Sequence, residues 1–533
     1  MKYALISVSD KTNLIELAHG LKKAGYKIIS TGGTAKALTE SGFDVISIED
    51  ITEFPECMDG RLKTLHPRIS GGLLGVRDNP EHLSTMKEHK IPFIDILVGN
   101  LYPFKETVAK PGHTLDEAIE NIDIGGPTMI RAGAKNYKYV AVVTDPVDYE
   151  ELIRRAEGAT GTEKAGGAEE SKVDTLDEAY RFKLAAKAFR HTAAYDAHIS
   201  NYLSRKLSDE LFPEDLTLTF RKHSDMRYGE NPHQGAAYYV ETQGRGSIED
   251  AQVLHGKALS FNNIADAHGA VALAREFADQ PVCVAVKHAT PCGVAVGSNV
   301  LEAYNAAYEC DPTSIFGGII AFNREVDEAT AQKMYEVFLE VIIAPSFSPE
   351  ALAVLTKKKN LRLLSLPSLG DSNKEAALKK SHSFEFKSVG GGLLIQESDA
   401  NDIGSEEHKV VTKAAPTKEE TADLIFGMKV VKHVKSNAIV VVKNGCLVGQ
   451  GGGEVSRIWA AQAAIARAGD KAKGAVLASD ALFPFPDVVE ACGAAGITAI
   501  IQPGGSKNDQ ASIDACNEHG IAMVLTGMRH FRH

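Results

Sequence analysis

With 533 residues, 44% hydrophobic and 24% charged, the chain has the composition of a soluble globular protein of two to four domains, at a prior of roughly 150 residues each. A formal net charge of −12 speaks against a nucleic-acid partner, which selects basic surfaces, yet leaves room for a basic pocket that holds a phosphorylated metabolite. The seven cysteines (Cys57, Cys283, Cys292, Cys310, Cys446, Cys492, Cys516) lie far apart without a CxxC pair, so neither a disulfide framework nor a Cys-rich zinc site is expected, and no metal.

The opening run Met1 to Ile6 passes straight into Ser7-Val8-Ser9-Asp10, too short an apolar segment for a signal peptide. No stretch reaches the ~20 apolar residues of a membrane span, so no membrane partner is expected and the cytoplasm is the default location. Residues 3–8 read as a buried strand, 14–24 as an amphipathic helix, 27–30 as a strand and 35–40 as a helix; 94–98 and 139–143 are further short β-branched runs. Strands alternating with helices predict an α/β fold with a doubly wound parallel sheet. Residues 156–172, small, polar and Gly-rich, read as a loop. A long helix from Asp177 to about Leu207 follows, and Phe212-Pro213-Glu214 ends it. This places a domain boundary near residue 205, giving domains 1–205 and 206–533. In the second domain 282–286, 439–442 and 475–477 read as strands and 264–278, 458–468 and 487–492 as helices. The charged stretches 357–380 and 401–420 read as connectors, and no internal repeat is visible.

Ser30-Thr31-Gly32-Gly33-Thr34 follows a predicted strand and opens a predicted helix. Glycines let backbone approach an anion, and a helix N-terminus offers free N–H groups and the positive end of its dipole, though a plain tight turn would use the same residues. Neither the dinucleotide fingerprint nor the P-loop spacing is present, so neither NAD nor ATP is expected. Ser7-Val8-Ser9-Asp10-Lys11-Thr12 ends the first strand, where open α/β sheets hold ligands, or else caps the next helix. Two such turns on neighbouring strands favour a phosphate site. The loop Asp59-Gly60-Arg61-Leu62-Lys63-Thr64-Leu65-His66-Pro67 gathers two cations, a hydroxyl and an imidazole. Asn100-Leu101-Tyr102-Pro103-Phe104 follows another strand, and Asp123-Ile124-Gly125-Gly126-Pro127 runs on to Lys135 in a short helix. A carboxylate, a tyrosine and two lysines from four loops suit proton transfer around a nitrogen heterocycle, whereas any one of them alone reads as part of a solvated charged loop.

The segments SVSDKT, STGGTAKAL, RLKTLHP, NLYPF, IDIGGPTMIRAGAKN, RYGENPHQ, KHATPCG, DPTSIFGG, IIAP, KSNAIVV, SRI, FPFPD, QPGGS and the terminal RHFRH, in that order, resemble the bifunctional AICAR transformylase/IMP cyclohydrolase family from residue 3 to 533. The resemblance implies an N-terminal cyclohydrolase of methylglyoxal-synthase-like fold that closes formyl-AICAR to IMP with loss of water and no cofactor. By match, Lys63, Tyr102, Asp123 and Lys135 would be catalytic, and Ser7, Ser9, Lys11, Ser30, Thr31, Gly32, Gly33, Thr34, Arg61, Thr64, Asn100 and Gly125 would hold the nucleotide. It further implies a larger C-terminal α/β transformylase of two cytidine-deaminase-like subdomains, which moves a formyl group from 10-formyltetrahydrofolate to the 5-amino group of AICAR. Lys287 and His288 match the catalytic pair of that domain. Neighbours within a strand point to opposite faces, so a Lys-His pair serving one pocket should lie just past the strand 282–286. A neutral His288 could take the amine proton, and Lys287 could stabilise the oxyanion. Arg227, Tyr228, Asn437, Arg457 and Arg529 match nucleotide positions, and Phe316, Ile458, Pro503 and Asp509 match the folate side. A homodimer with shared transformylase sites is also implied.

Thr290 stands where the bacterial pattern reads Asn (KHANPCG), Ser70 replaces a His after TLHP, and Gly133 replaces Ala in RAAAKN. Three rival readings fit less of the chain. A zinc nucleoside deaminase needs H-x-E and P-C-x-x-C ligands, and Cys292 is followed instead by Gly293-Val294-Ala295. A phosphometabolite-binding sensor without catalysis would use Ser30 to Thr34 and need none of the Lys, His or Asp set. A phosphate-eliminating lyase leaves residues 206–533 unexplained.

Overall fold

A computed structural model describes residues 1–110, 112–158, 176–207, 211–241, 248–371, 384–401 and 408–533. The chain folds as two compact units, Met1–Thr219 and Phe220–His533.

In the first unit five parallel strands, β1 (Lys2–Val8), β2 (Tyr26–Ser30), β3 (Val45–Ser47), β4 (Ile96–Asn100) and β5 (Ala141–Val143), form a sheet of order β3-β2-β1-β4-β5. Both faces are buried, which is why these strands are near-continuous apolar runs. Ala4, Ile6 and Val8 pack toward helices Leu14–Lys23 and Tyr149–Gly158, while Leu5 faces helices Pro67–Leu74 and Gly125–Lys135. The strand order reverses between β1 and β4, and such a reversal opens a crevice at the carboxyl ends of the two strands. The long predicted helix runs Glu178–Lys206, with Asp177 as its cap accepting from the Tyr180 N–H. Residues 156–158 complete the helix Tyr149–Gly158 rather than beginning a loop, because Ala156 is buried in the core; the rest of the expected loop lies outside the described residues.

The second unit begins with a separate hairpin, β6 (Phe220–Met226) and β7 (Ala236–Glu241). The next strands are β8 (Gln252–His255), β9 (Val282–Lys287), β10 (Thr290–Val296), β11 (Ile319–Phe322), β12 (Val341–Ala344) and β13 (Arg362–Ser365). After a second hairpin, β14 (Phe384–Val389) and β15 (Gly392–Glu397), come β16 (Lys409–Val410), β17 (Ile439–Lys443), β18 (Cys446–Gly451), β19 (Val476–Ser479), β20 (Ala499–Gln502) and β21 (Ala522–Leu525). Among the described residues twelve strands form one sheet of order β16-β21-β20-β19-β17-β18-β10-β9-β11-β12-β13-β8.

That order is a mirror about the β18–β10 seam, so the unit is an internal repeat that the sequence did not reveal. Each half runs strand, helix (Phe261–Ala274 or Lys418–Val431), hairpin, helix (Val300–Cys310 or Arg457–Ala468), then three parallel strands with helices between them. The halves share alternation rather than residues, VCVAVK in β9 against IVVVK in β17, and sequence self-comparison by eye misses such a likeness. Val282, Val284 and Val286 join a core that crosses both halves, while Cys283 and Ala285 face a core confined to the first. β13 falls within the expected connector 357–380, its charged neighbours hiding a core of Leu363 and Leu364. β16 and the start of the helix Lys418–Val431 likewise fall within 401–420; residues 372–380 and 402–407 lie outside the described ones. The helix expected over 264–278 begins at Phe261, where Ser260 and Asn263 form a capping box.

Candidate active sites

At the β1–β4 crevice the sequence-expected residues sort into two kinds. Some hold the loops. The Ser30 hydroxyl donates to Ile6 O at 2.7 Å, and buried Thr34 both donates to Val8 O (2.9 Å) and accepts from Val8 N (3.1 Å). The Asn100 carboxamide accepts from Ser9 N (2.6 Å) and Asp10 N (2.9 Å) and donates to Asp10 O (3.1 Å), tying the β1 loop to the end of β4. Arg61 is exposed and paired with Glu120.

The others converge on the helix Gly32–Glu40. Gly32 lies at φ 54°, and a Cβ there would stand 3.1 Å from Lys63 Nζ; a Cβ on Gly33 would be 3.9 Å from Lys11 Nζ. Two ammonium groups thus bracket the N-terminus of one helix, where its dipole disfavours cations. Sequence reasoning missed Glu56, whose carboxylate lies 2.6 Å from Lys63 Nζ and compensates it in part. Lys63 also lines a cavity of about 190 Å³ with Thr52, Phe54, Leu62, Leu65 and His66.

Thr64 links this group to Asp123. A Cβ at Gly125 would lie 2.5 Å from Thr64 Oγ1, and one at Gly126 would collide with the Asp123 carboxylate, so both glycines are demanded by close approach. Asp123 Oδ1 accepts from Gly126 N at 2.8 Å, and Tyr195 OH contacts Asp123 N at 2.8 Å. Burial raises the Asp123 carboxyl above its ordinary value, and backbone N–H groups of Gly126, Tyr102 and Gly125 oppose the shift only in part. The Tyr102 ring is mostly exposed beside it. Lys135 is the last residue of the helix Gly125–Lys135, about 15 Å along the axis from Gly125, past Gly133, which packs against Val140 and Val142 at the start of β5.

In the second unit Lys287 is the last residue of β9 and His288 the first of a two-residue turn, as a pair serving one pocket requires. His288 and Ala289 lie at φ 53° and 56°, a region that costs a non-glycine residue roughly 1–2 kcal/mol. Lys287 Nζ donates to Phe316 O at 2.7 Å, so one folate-side expectation does meet the pair. Between β10 and β18 the register is held at one pair, Ala295 and Cys446, and beyond it the strands part around a cavity of about 440 Å³. Lys287, His288, Thr290 and Cys292 line one wall, Leu447 to Gln450 and Arg467 the other. The volume suits a small-molecule ligand. Burial pushes the Cys292 and Cys310 thiols up to about 12, leaving them protonated and poor nucleophiles.

The remaining expected ligands sit in the other half. Buried Arg457 donates through Nη1 to Ala438 O (3.0 Å), Ser479 Oγ (3.2 Å) and the Asp480 carboxylate, and through Nη2 to Asn437 Oδ1 (2.7 Å). Ile458 follows Arg457 in the same helix. Pro503 follows β20 and accepts from Gly527 N at 2.9 Å, and Asp509 Oδ2 accepts from Gly505 N at 2.7 Å. β20 is five strand spacings from β9, about 24 Å, so Pro503 and Asp509 do not reach Lys287 and His288 within the sheet of one chain. Arg227 stacks over Tyr228 at 5.5 Å just after β6.

The C-terminus is anchored rather than frayed. His530 is buried; its N–H donates to Asp480 O at 2.9 Å and its Nδ1 lies 2.6 Å from Asp399 Oδ2. Burial alone would raise the Asp399 carboxyl, but the His530 imidazole brings it below its ordinary value. Arg532 O accepts from Ser436 N at 2.9 Å and Arg532 N donates to Ser436 Oγ at 3.0 Å, while exposed Arg529 touches only the Phe531 ring among its described contacts, at 4.4 Å. Asp480, Ser436 and Asp399 were invisible in sequence because each acts through partners far along the chain.

Two lysines at a helix N-terminus in one α/β unit and a Lys-His turn beside a cavity in the other suit an enzyme with two sites. Comparison with known proteins agrees. A family model described as AICARFT/IMPCHase bienzyme matches residues 133–467, and one described as MGS-like domain matches 13–128. Proteins named bifunctional purine biosynthesis protein PurH are similar over 100% of both chains: 55% identical in Thermoanaerobacter sp. (strain X514), 53% in Acetivibrio thermocellus and 55% in Bacillus cereus (strain B4264). The chain belongs to the AICARFT/IMPCHase bienzyme family. It is a bifunctional enzyme of purine biosynthesis with AICAR transformylase and IMP cyclohydrolase activities.

Proposed function

We propose that residues 1–205 carry the cyclohydrolase and 206–533 the transformylase, each with its own residues. The observation that carries the first half is the approach of Lys11 and Lys63 to Gly32 and Gly33: two cations at a helix N-terminus are stable beside an anion, and the 5′-phosphate or a developing oxyanion of formyl-AICAR supplies one. Asp123, raised by burial, takes the carboxamide proton as that nitrogen attacks the formyl carbon; Lys63 stabilises the oxygen that leaves as water, and Tyr102 is placed to relay a proton. Lys135, which the family motif matches to the catalytic set, supplies a second cation from the end of the helix that Gly125 begins.

In the second unit His288 accepts the 5-amino proton of AICAR while Lys287 steadies the oxyanion on the formyl group of 10-formyltetrahydrofolate, the donor used by AICAR formyltransferases. Phe316 touches the folate from beside Lys287. Ile458, Pro503 and Asp509, together with Arg227, Tyr228, Asn437, Arg457 and Arg529, complete the site from a second copy of the chain, a homodimer that the separation of β9 from β20 supports. The halves of this unit are of the cytidine-deaminase-like kind, consistent with their repeated topology. Neither NAD nor ATP is needed, since neither binding motif occurs, and no metal enters the chemistry. The enzyme works in the cytoplasm without nucleic-acid partners; no helix among the described residues is long and apolar enough to cross a membrane. The test is which intermediate builds up: with AICAR and 10-formyltetrahydrofolate supplied, a Lys63 variant should stop at formyl-AICAR and a His288 variant at AICAR. Loss of both steps in either folded variant would refute separate sites.

A further inference from the structure

The turn that presents Lys287 and His288 is held by a residue outside the set discussed so far. His288 and Ala289, both at positive φ, are the central residues of a two-residue β9–β10 hairpin, the type I′ geometry that favours Asn and Gly. Both turn N–H groups donate to one carboxylate: His288 N to Asp266 Oδ2 at 3.3 Å and Ala289 N to Asp266 Oδ1 at 2.6 Å. Asp266 comes from the helix Phe261–Ala274. The other half repeats the device. Asp423, from the helix Lys418–Val431, takes the N–H groups of Asn444 (2.8 Å) and Gly445 (2.6 Å) in the β17–β18 turn, at φ 53° and 68°. There the turn residues are the pair type I′ prefers, and no proposed ligand lies among them. The same clamp therefore grips a relaxed turn in one half and a strained one in the half that carries the Lys-His pair.

We propose that Asp266 is a positioning residue for formyl transfer, its carboxylate holding the His288-Ala289 turn in the left-handed conformation that sets Lys287 and His288 against the cavity. This rests on the reading of Lys287 and His288 as the transformylase pair. Without the clamp both turn residues drift toward negative φ and the imidazole swings away, since the other holds here, Lys287 Nζ on Phe316 O and the Thr290 hydroxyl on His288 O at 3.3 Å, grip neither the turn N–H groups nor the imidazole.

The test is Asp266→Asn in the full chain, which keeps the side chain's size but replaces one acceptor by an amide that repels an N–H. A displacement of about 1 Å can cost up to about 100-fold, so kcat for formyl transfer should fall by about ten-fold or more while KM for AICAR barely moves. Adding Ala289→Gly, which relieves the strain at one of the two turn positions, should restore part of the lost kcat. Asp423→Asn should leave both activities unchanged, because Asn444-Gly445 keeps its turn unaided. Circular dichroism and a cooperative melt verify folding; if Asp266→Asn fails there, Asp266→Glu, with its carboxylate displaced by one methylene, carries the same comparison. Normal transfer in a folded Asp266 variant, or no rescue by Ala289→Gly, overturns the proposal. His288→Ala run in parallel separates the two layers: normal transfer there removes the pair and the clamp with it, whereas a dead His288→Ala beside a normal Asp266→Asn removes the clamp alone.

Discussion

Replacing His288 by alanine is the sharpest perturbation of the transformylase. The side chain is exposed and makes no structural bond of its own beyond its backbone, and Ala289 shows that alanine sits at this φ in the same turn. The fold should therefore survive, and what is lost is the base. A missing general base costs 10²–10⁴-fold, so turnover should fall by ~100-fold or more, a barrier increase of about 2.7 kcal/mol or greater. AICAR affinity should weaken far less, because the phosphate contacts proposed for Arg227 and Arg529 remain. Ring closure of supplied formyl-AICAR should not change. Lys287→Ala should look alike, and the double variant little worse than either, since residues acting as one unit are not additive. The assay is single-turnover formyl transfer at saturating substrates, with AICAR affinity measured separately. Near-normal transfer would refute the assignment and leave the pair as a strained hairpin without a chemical role.

Lys63→Ala should abolish ring closure while formyl transfer continues, seen as accumulating formyl-AICAR, and Lys135→Ala should do the same. Asp123→Asn should also abolish ring closure. Because burial raises the Asp123 carboxyl, the folded state binds its proton more tightly than the unfolded chain, and the stability this gives at acid pH is lost as pH climbs past the raised value. At neutral pH the asparagine variant should accordingly melt no lower than the parent, and the acid limb of ring closure in the parent should lie above the usual aspartate range. Deleting Met528 to His533 should destroy formyl transfer and also lower the melting temperature, since Asp480, Asp399 and Ser436 lose partners; Arg529→Ala should weaken AICAR binding with no change in melting.

How much of this was legible in the sequence depends on how local each signal is. The parallel sheet of the first unit was readable because residues 3–8 and 27–30 are apolar runs followed at once by helical periodicity. The glycines of the turn Ser30 to Thr34 left an anion site and a plain tight turn both open, and the structure adds that Ser30 and Thr34 spend their hydroxyls on β1. Lys287 and His288 came from the family resemblance, and pleat geometry put them just past a strand ending at 286; the strand in fact takes in Lys287, and His288 opens the turn. What escaped was non-local. The duplicated architecture leaves no residue repeat, and Asp266 is an unremarkable carboxylate on a helix until folding brings it under a turn over twenty residues away.

The mirrored sheet has a bearing on how the chain is made. Its two outer edges are closed by β8 and by the two-residue β16, so little bare backbone is left to template a foreign strand. The vulnerable edge is in the middle. During synthesis the first half is complete once β13 has emerged, yet the flank of β10 waits for β18 to be made and folded. Because the finished seam is registered at Ala295 and Cys446, the rest of β10 gains no ladder partner from β18 even in the folded chain, and that length of strand borders the cavity instead.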